Sequence, residues 1–162
     1  MRTSKVQVTS GWQAALPHEN AGLSTLCREL ARFSRSPYLH QVRGRKNDGS
    51  LSHYGHLSEA LPYLPHASDR EWRIHYHVPL FIEQYGHLTS THAETRAVLQ
   101  LVAQYGFTHH LEIETYTWGL LPGDLKMDLV DFLEREYRWT LAALSPASYE
   151  IGSSSASTEK TS

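Results

Sequence analysis

The order of hydrophobic patterns along the chain constrains its fold more than any other feature. Alternating, period-two segments typical of strands begin near Lys5, Tyr38, Trp72 and His110. Segments with apolar residues at three- and four-residue spacing, typical of helices, follow them. The strand starts lie roughly 35 residues apart, which is the size of a βαβ unit. Because strands that alternate with helices usually pair in parallel, this order predicts an α/β fold.

Four such units make up half of an eight-fold barrel. We therefore predict that residues 1–146 form the C-terminal half of a (β/α)8 TIM barrel, with four parallel strands alternating with helices. A small doubly wound sheet would show the same number of units. Residues 43–54 are interpreted as a loop, and the third helix is predicted to begin with a capping box at Thr91 and Glu94. The serine-rich residues 147–162 have nothing to bury, so we predict a disordered polar tail.

Composition narrows the classes of partner. The 162 residues carry a formal net charge of −2, which offers no basic field for nucleic acid. No apolar run approaches the ~20 residues that span a bilayer, and residues 1–8 lack the apolar region of a signal peptide. The single cysteine, Cys27, cannot form a disulfide within the chain and fits a reducing compartment. We expect a cytoplasmic protein that neither binds nucleic acid nor inserts into a membrane.

Two of the predicted strands carry ionisable residues on one face, because successive side chains alternate along a strand. These residues are Arg73, His75 and His77 on one strand, and His110, Glu112 and Glu114 on the other. Buried carboxylates without a counter-charge are costly, and a divalent cation held by imidazole and carboxylate groups would neutralise them. We predict a Zn, Mn or Mg ion bound by His75, His77 and Glu114, with Glu112 as a catalytic general base.

Further residues are assigned to the same interior. His40 is a fourth candidate metal ligand. The candidate substrate-binding residues are Lys5, Gln7, Arg73, Tyr116 and Trp118, of which the two aromatic residues would form a rim suited to a ring-shaped ligand. Two alternatives stay open at this point. The histidines can instead form a metal-free hydrogen-bond network with the glutamates, and Trp118 can simply cap the core.

The same segments carry a resemblance to a known family. Residues 72–81 and 110–118 resemble the most distinctive segments of the EboE metabolite traffic proteins, and so do residues 5–10 and 38–42. The resemblance extends over residues 5–144. It implies a xylose-isomerase-like TIM barrel with a metal-compatible centre, in a superfamily that holds sugar-phosphate isomerases and epimerases and endonuclease-IV-type enzymes.

The resemblance also implies a function and a partner. Members of the family are associated with moving a secondary-metabolite precursor, so we expect the chain to bind or process a small polar metabolite. Isomerase or epimerase chemistry is the leading hypothesis, and a non-enzymatic binding or transport component is the alternative. Hydrolysis of the endonuclease-IV type is disfavoured by the charge balance. Relatives carry a further half-barrel before this region, so that half, or a second chain replacing it, is an expected partner.

Overall fold

The computed structural model describes residues 4–34 and 40–145, and within them the chain forms two sheets and four α-helices. The strands are β1 (Val6–Val8), β2 (Ser10–Ala15), β3 (Val42–Lys46), β4 (Leu51–Tyr54), β5 (Asp69–Val78), β6 (Gln84–Tyr85), β7 (Leu88–Ser90) and β8 (Leu111–Ile113). The α-helices are α1 (Asn20–Ala31), α2 (Leu57–Ala60), α3 (His92–Tyr105) and α4 (Leu129–Leu144). Short 3₁₀ helices span Leu61–His66, Trp118–Leu120 and Gly123–Leu125.

The prediction of half a TIM barrel is wrong. The larger sheet has six strands in the order β4-β3-β5-β2-β7-β6, and its pairings are antiparallel. The smaller sheet pairs β1 with β8 in parallel. The first and the last of the four predicted strands are therefore adjacent and parallel. The predicted disordered tail lies outside the described residues.

Hairpins are the physical reason for the antiparallel sheet. Residues 43–54, predicted as a loop, instead form β3 and β4 around a tight turn at Asn47-Asp48-Gly49. Gly49 has a φ of 84°, a left-handed conformation that glycine adopts without a steric penalty. The Asp48 carboxylate accepts a hydrogen bond from the backbone of Ser50 at 2.9 Å. A second hairpin joins β6 to β7 at Gly86, where φ is 58°. Tight turns of two or three residues join antiparallel strands, which excludes a helical crossover at these two connections.

One face of the large sheet packs into the main hydrophobic core. Trp72, Ile74 and Tyr76 of β5 point into this core and are nearly inaccessible to solvent. Helix α1 covers the same side with Leu26 and Leu30. From residue 71 to residue 77, the odd-numbered residues of β5 point to the opposite face of the sheet, as the strand period requires. Asp69, beside a register shift, is buried on the core side.

A second, smaller core lies between the parallel sheet and helices α3 and α4. It contains Val8, Leu99 and Ala143, together with Leu80, which follows β5. The Glu136 carboxylate of α4 accepts a hydrogen bond from the Leu80 backbone at 2.8 Å and ties the helix to the end of β5. Strands β1 and β2 are separated only by residue 9, so the two sheets meet at this point.

Candidate functional site

Strands β1, β5 and β8, which correspond to three of the four predicted strands, lie together at the junction between the two sheets. Val78, at the end of β5, lies opposite Ser10 at the start of β2. The backbone N–H of Glu114 donates to the carbonyl of Val8 at 3.2 Å, which continues the β1–β8 pairing by one residue. The Thr117 hydroxyl donates to the carbonyl of His77 at 2.6 Å. These contacts hold the end of β5 beside the segment that follows β8.

A pair of histidines forms the centre of the candidate site. The Nε2 atoms of His75 and His77 lie 3.2 Å apart, and the two rings are stacked with an interplanar angle of 14°. Both rings lie on the open face of the sheet, opposite Tyr76, because they are two residues apart on one strand. His75 is exposed, and 11% of the His77 side chain is exposed. The two Nε2 atoms are thus at hydrogen-bond distance, and His75 is accessible to a ligand whereas His77 is largely covered.

Glu114 lies beside the Nδ1 atom of His77, whereas His75 lies beside its Nε2 atom. Its Oε2 is 3.2 Å from His77 Nδ1, although the approach is not aligned for a hydrogen bond. The amide of Gln7 on β1 donates to the Oε1 atom of Glu114. His77 therefore lies close to both His75 and Glu114, but the carboxylate faces Nδ1 of His77 rather than the two Nε2 atoms, and the three predicted ligands do not form one metal-binding group.

Burial keeps the His77 imidazole neutral. Desolvation, with a smaller contribution from repulsion by His75, lowers the pKa of His77 to about 4. At neutral pH the ring therefore carries a lone pair on one nitrogen, which is the form that binds metals. A carboxylate near the other nitrogen is the arrangement that orients many metal-binding histidines.

The histidine pair fits part of a metal site. Two nitrogens each ~2.0–2.1 Å from one tetrahedral ion would lie about 3.3–3.4 Å apart, which matches the separation of the two Nε2 atoms. Among residues 4–34 and 40–145, however, no three His, Cys, Asp or Glu side chains are grouped closely enough to hold an ion together. The described residues therefore supply at most two imidazole ligands for a divalent cation, and their two Nε2 atoms lie at hydrogen-bond distance from each other.

The predicted general base lies apart from the pair. Glu112 forms an ion pair with Lys5, and about half of each side chain is exposed. Arg73 donates to Glu94 of α3 at 3.2 Å and lies 3.8 Å from Glu71. The Lys5 ammonium and the Glu112 carboxylate largely neutralise each other at the edge of the site. Neither group forms a hydrogen bond or an ion pair with the two histidines.

The predicted aromatic rim is divided. The Tyr116 ring lies 4.6 Å from the His77 ring, measured between centroids, and is partly exposed beside the pair. Trp118 packs against the main core, and its indole N–H donates to the carbonyl of Met127 at 3.1 Å. Tyr116 therefore borders the candidate site, whereas Trp118 has the core-capping position that was the alternative.

His40 lies on the other face of the sheet. The register of β3 on β5 places it opposite Tyr76, and the two rings are 4.7 Å apart. Its side chain is fully buried, and neither ring nitrogen makes a well-aligned hydrogen bond among the described residues, although the Phe33 backbone lies close enough to oppose the lowering of its pKa. Desolvation and the nearby His56 lower its pKa to about 4. The structure therefore brings His75 and His77 together but leaves His40 on the core side.

A groove beside His75 contains residues that the sequence reading did not assign to the site. Its cavity volume is about 300 Å³, and the polar lining comes from β3 and the residue before it, from β5 and from the N-cap of α3. The polar lining residues are Gln41, Arg43, Arg73, His75 and Thr91. In the sequence, Val42 and Gly44 alternate with Arg43 and Arg45, which is the period-two pattern of a strand. The pattern is hard to recognise because glycine stands at one of its two inward-facing positions.

Comparisons with known proteins add no relative. No protein-family model matches the chain, and neither the curated proteins nor the solved structures include a match. Among the residues that the structure describes, no helix combines the length and apolar character needed to cross a membrane.

Proposed function

We propose that this chain binds a small polar metabolite at a divalent metal ion held by His75 and His77. The observation that supports this proposal is the 3.2 Å separation of their Nε2 atoms on an open face of the sheet. Imidazole nitrogen favours Zn over Mg, so Zn is the first ion to test among Zn, Mn and Mg. When bound, such a cation would supply positive charge and open coordination positions for ligand oxygens.

The surrounding residues have distinct tasks in this proposal. Gln7 holds the Glu114 carboxylate, which lies against Nδ1 of His77 and favours a proton on that nitrogen. With Nδ1 protonated, Nε2 carries the lone pair that binds a cation. Tyr116 provides a partly exposed ring at the border, against which the apolar part of a ligand can pack.

Binding is better supported than turnover. A general base must reach the proton that it removes, directly or through one water. The Glu112 carboxylate is instead paired with Lys5 and makes no contact with the histidine pair. We therefore favour the non-enzymatic binding component over an isomerase or epimerase. A cytoplasmic location belongs to the same proposal and is supported by the unpaired thiol of Cys27.

The EboE resemblance is kept as a proposal for the ligand class. Its two most distinctive segments, residues 72–81 and 110–118, supply His75, His77 and Glu114, and they adjoin each other in space. A metabolite traffic role suits a site that binds a polar ligand without a placed base. The half-barrel partner is not part of the proposal, because the strands form a mostly antiparallel arrangement.

Isothermal titration calorimetry with Zn²⁺ tests the proposal directly. We expect one equivalent to bind the wild-type chain, and His77→Ala to weaken binding by roughly tenfold or more, as loss of a ligand should. Glu114→Gln should weaken binding by a smaller factor, because it alters only the orientation and basicity of His77. His53→Ala is the matched control, since His53 is an exposed histidine on β4. An equal loss in His53→Ala, or no binding by the wild type, would refute the proposal.

A further inference from the structure

Two arginines occupy directly opposite positions beside the histidine pair. Arg43 of β3 and Arg73 of β5 are partners in the antiparallel register. Side chains at such positions have Cβ atoms only ~4.5–5.5 Å apart, and like charges placed there repel each other. An arrangement of this kind is unfavourable unless an anion lies between the two guanidinium groups.

The carboxylates of this face do not fully compensate the arginines. Glu94 pairs with Arg73 at 3.2 Å, and Glu71 lies 3.5 Å from Arg45 and 3.8 Å from Arg73. Within the described part of the chain no carboxylate forms an ion pair with Arg43, whose guanidinium donates only to the neighbouring carbonyl of Val42. Three guanidinium groups therefore face two carboxylates, and the uncompensated positive charge lies at Arg43.

The groove between these arginines and His75 has the lining of an anion site. Gln41 and Thr91 add uncharged polar side chains, and Gly11 forms part of the wall without a side chain. A Cβ at Gly11 would approach the Ile74 carbonyl oxygen to 2.9 Å, so the close strand packing there requires glycine. Thr91 is the N-cap residue of the 14-residue helix α3, whose N-terminal end carries a partial positive charge.

We infer that this groove binds a compact anionic group, a phosphate or a carboxylate, between Arg43 and Arg73. The inference rests on the proposed function and specifies its ligand, a polar metabolite whose anionic end lies in the groove while its other end reaches the histidines. Arg73 and His75 are two residues apart on β5, about 7 Å along the strand, which is the length of a small metabolite. Planar guanidinium groups suit either anion, because both offer paired oxygen acceptors.

The test is an NMR titration of the wild-type chain with inorganic phosphate, and separately with acetate, at constant ionic strength. We expect the side-chain N–H signals of Arg43 and Arg73 and the ring signals of His75 to shift with saturation. Shifts with phosphate alone assign a phosphate, and shifts with acetate alone assign a carboxylate. Saturable shifts with both support the shared site, and absence of shifts with either anion overturns it.

Substitutions separate the groove from the rest of the surface. Arg43→Gln should weaken anion binding roughly tenfold or more, the effect of losing a charge-assisted hydrogen bond. Arg43→Lys keeps the charge but loses the fork geometry, and should weaken binding less. Arg138→Gln on α4 removes the same charge far from the groove and should leave binding unchanged. Equal losses in the Arg43→Gln and Arg138→Gln variants would show general charge attraction and overturn the inference. Circular dichroism verifies that each variant is folded.

Zinc titration of the Arg43→Gln variant distinguishes the two proposals. It should still bind Zn²⁺, at least as tightly as the wild type, because Arg43 supplies no metal ligand and its removal takes away a nearby positive charge. If Zn²⁺ binds but neither anion does, the groove inference fails and the metal site stands. If an anion binds through Arg43 but Zn²⁺ does not bind, the groove stands as an anion site and the metal proposal fails.

Discussion

The two faces of β5 differ in almost every physical respect, although their residues alternate along one strand. Trp72 and Tyr76 are at most 1% exposed and pack in the main core. Arg73 and His75, their immediate neighbours in sequence, are exposed to solvent beside an open groove. The core face therefore carries stability, whereas the open face carries charge and the histidine pair. Between residues 71 and 78 of β5, a substitution should affect mainly folding at an even-numbered position and mainly binding at an odd-numbered one.

The sharpest test of this comparison uses adjacent residues, Trp72 and Arg73. Trp72→Ala removes a fully buried ring whose indole N–H donates to Asp69 at 2.9 Å, and should destabilise the fold by ~3–5 kcal/mol. Arg73→Ala removes only exposed ion pairs and should change stability by less than ~1 kcal/mol. Urea unfolding followed by tryptophan fluorescence and circular dichroism measures both. Similar losses for the two variants would contradict a division between the faces.

Two buried ionisable groups, Glu136 on α4 and His77 on β5, extend the comparison to the pH dependence of stability. Desolvation raises the pKa of Glu136 to about 7, against 4.5 for an unperturbed glutamate. The folded state then binds more protons than the unfolded state between these values, so this group makes stability fall as pH rises from about 4.5 to about 7. The full effect is on the order of 3 kcal/mol. His77 acts in the opposite sense, because its lowered pKa makes stability rise between about pH 4 and 6.5.

Glu136→Gln isolates the contribution of this carboxyl group. Relative to the wild type, the variant should gain stability between pH 5 and pH 8, because it lacks the buried negative charge at the higher pH. Unfolding free energies at the two pH values give the difference, and the histidine contributions cancel because both proteins contain them. Glu134→Gln, an exposed position of the same helix, should show no such change. An identical pH profile for wild type and Glu136→Gln would refute the assignment.

Two glycines in different surroundings provide a smaller test. A Cβ at Gly44, which points to the core side of β3, would lie 2.3 Å from the Ser52 hydroxyl oxygen and 2.4 Å from the Asp69 carboxyl carbon. Gly44→Ala should therefore force Asp69 away from its partners and cost ~1–3 kcal/mol. Gly119→Ala is the control, since no heavy atom lies within 4 Å of its added Cβ. Thermal unfolding compares the two, and equal stability of both variants would contradict this prediction.

The alternation on β5 could be read from the sequence, whereas the connections between strands could not. The period-two pattern correctly separates His75 and His77 from Ile74 and Tyr76, because it depends only on local geometry. Whether consecutive strands pair in parallel depends on what joins them. The Asp48-Gly49 sequence is typical of a hairpin turn. If this segment is interpreted as a loop, strand β4 is missed, and a helical crossover is expected between β3 and the next strand.

The candidate site was predictable to the same extent. His75, His77 and Glu114 lie together because each belongs to a strand end at the junction of the sheets. His40 was placed with them by assuming a barrel interior, and the antiparallel register on β5 puts it opposite Tyr76 instead. The sequence marks Arg43, with Arg45 and Lys46, only as a basic loop residue that could meet an anion or simply be solvated, since its importance depends on which residue of a neighbouring strand lies opposite. Thr91 was predicted as a capping-box residue, but its hydroxyl accepts from the Gly11 backbone at 2.8 Å.

The smallest expected effect concerns the open face without a ligand. His75→Ala removes an exposed ring whose only described partner is His77, so the metal-free variant should match the wild-type stability within ~0.5 kcal/mol. Added Zn²⁺ should raise the melting temperature of the wild type, because a ligand that binds only the folded state stabilises it by mass action. It should raise the melting temperature of His75→Ala far less. If the substitution itself lowered stability by several kcal/mol, the imidazole would be a folding element, and the open face would resemble the core face after all.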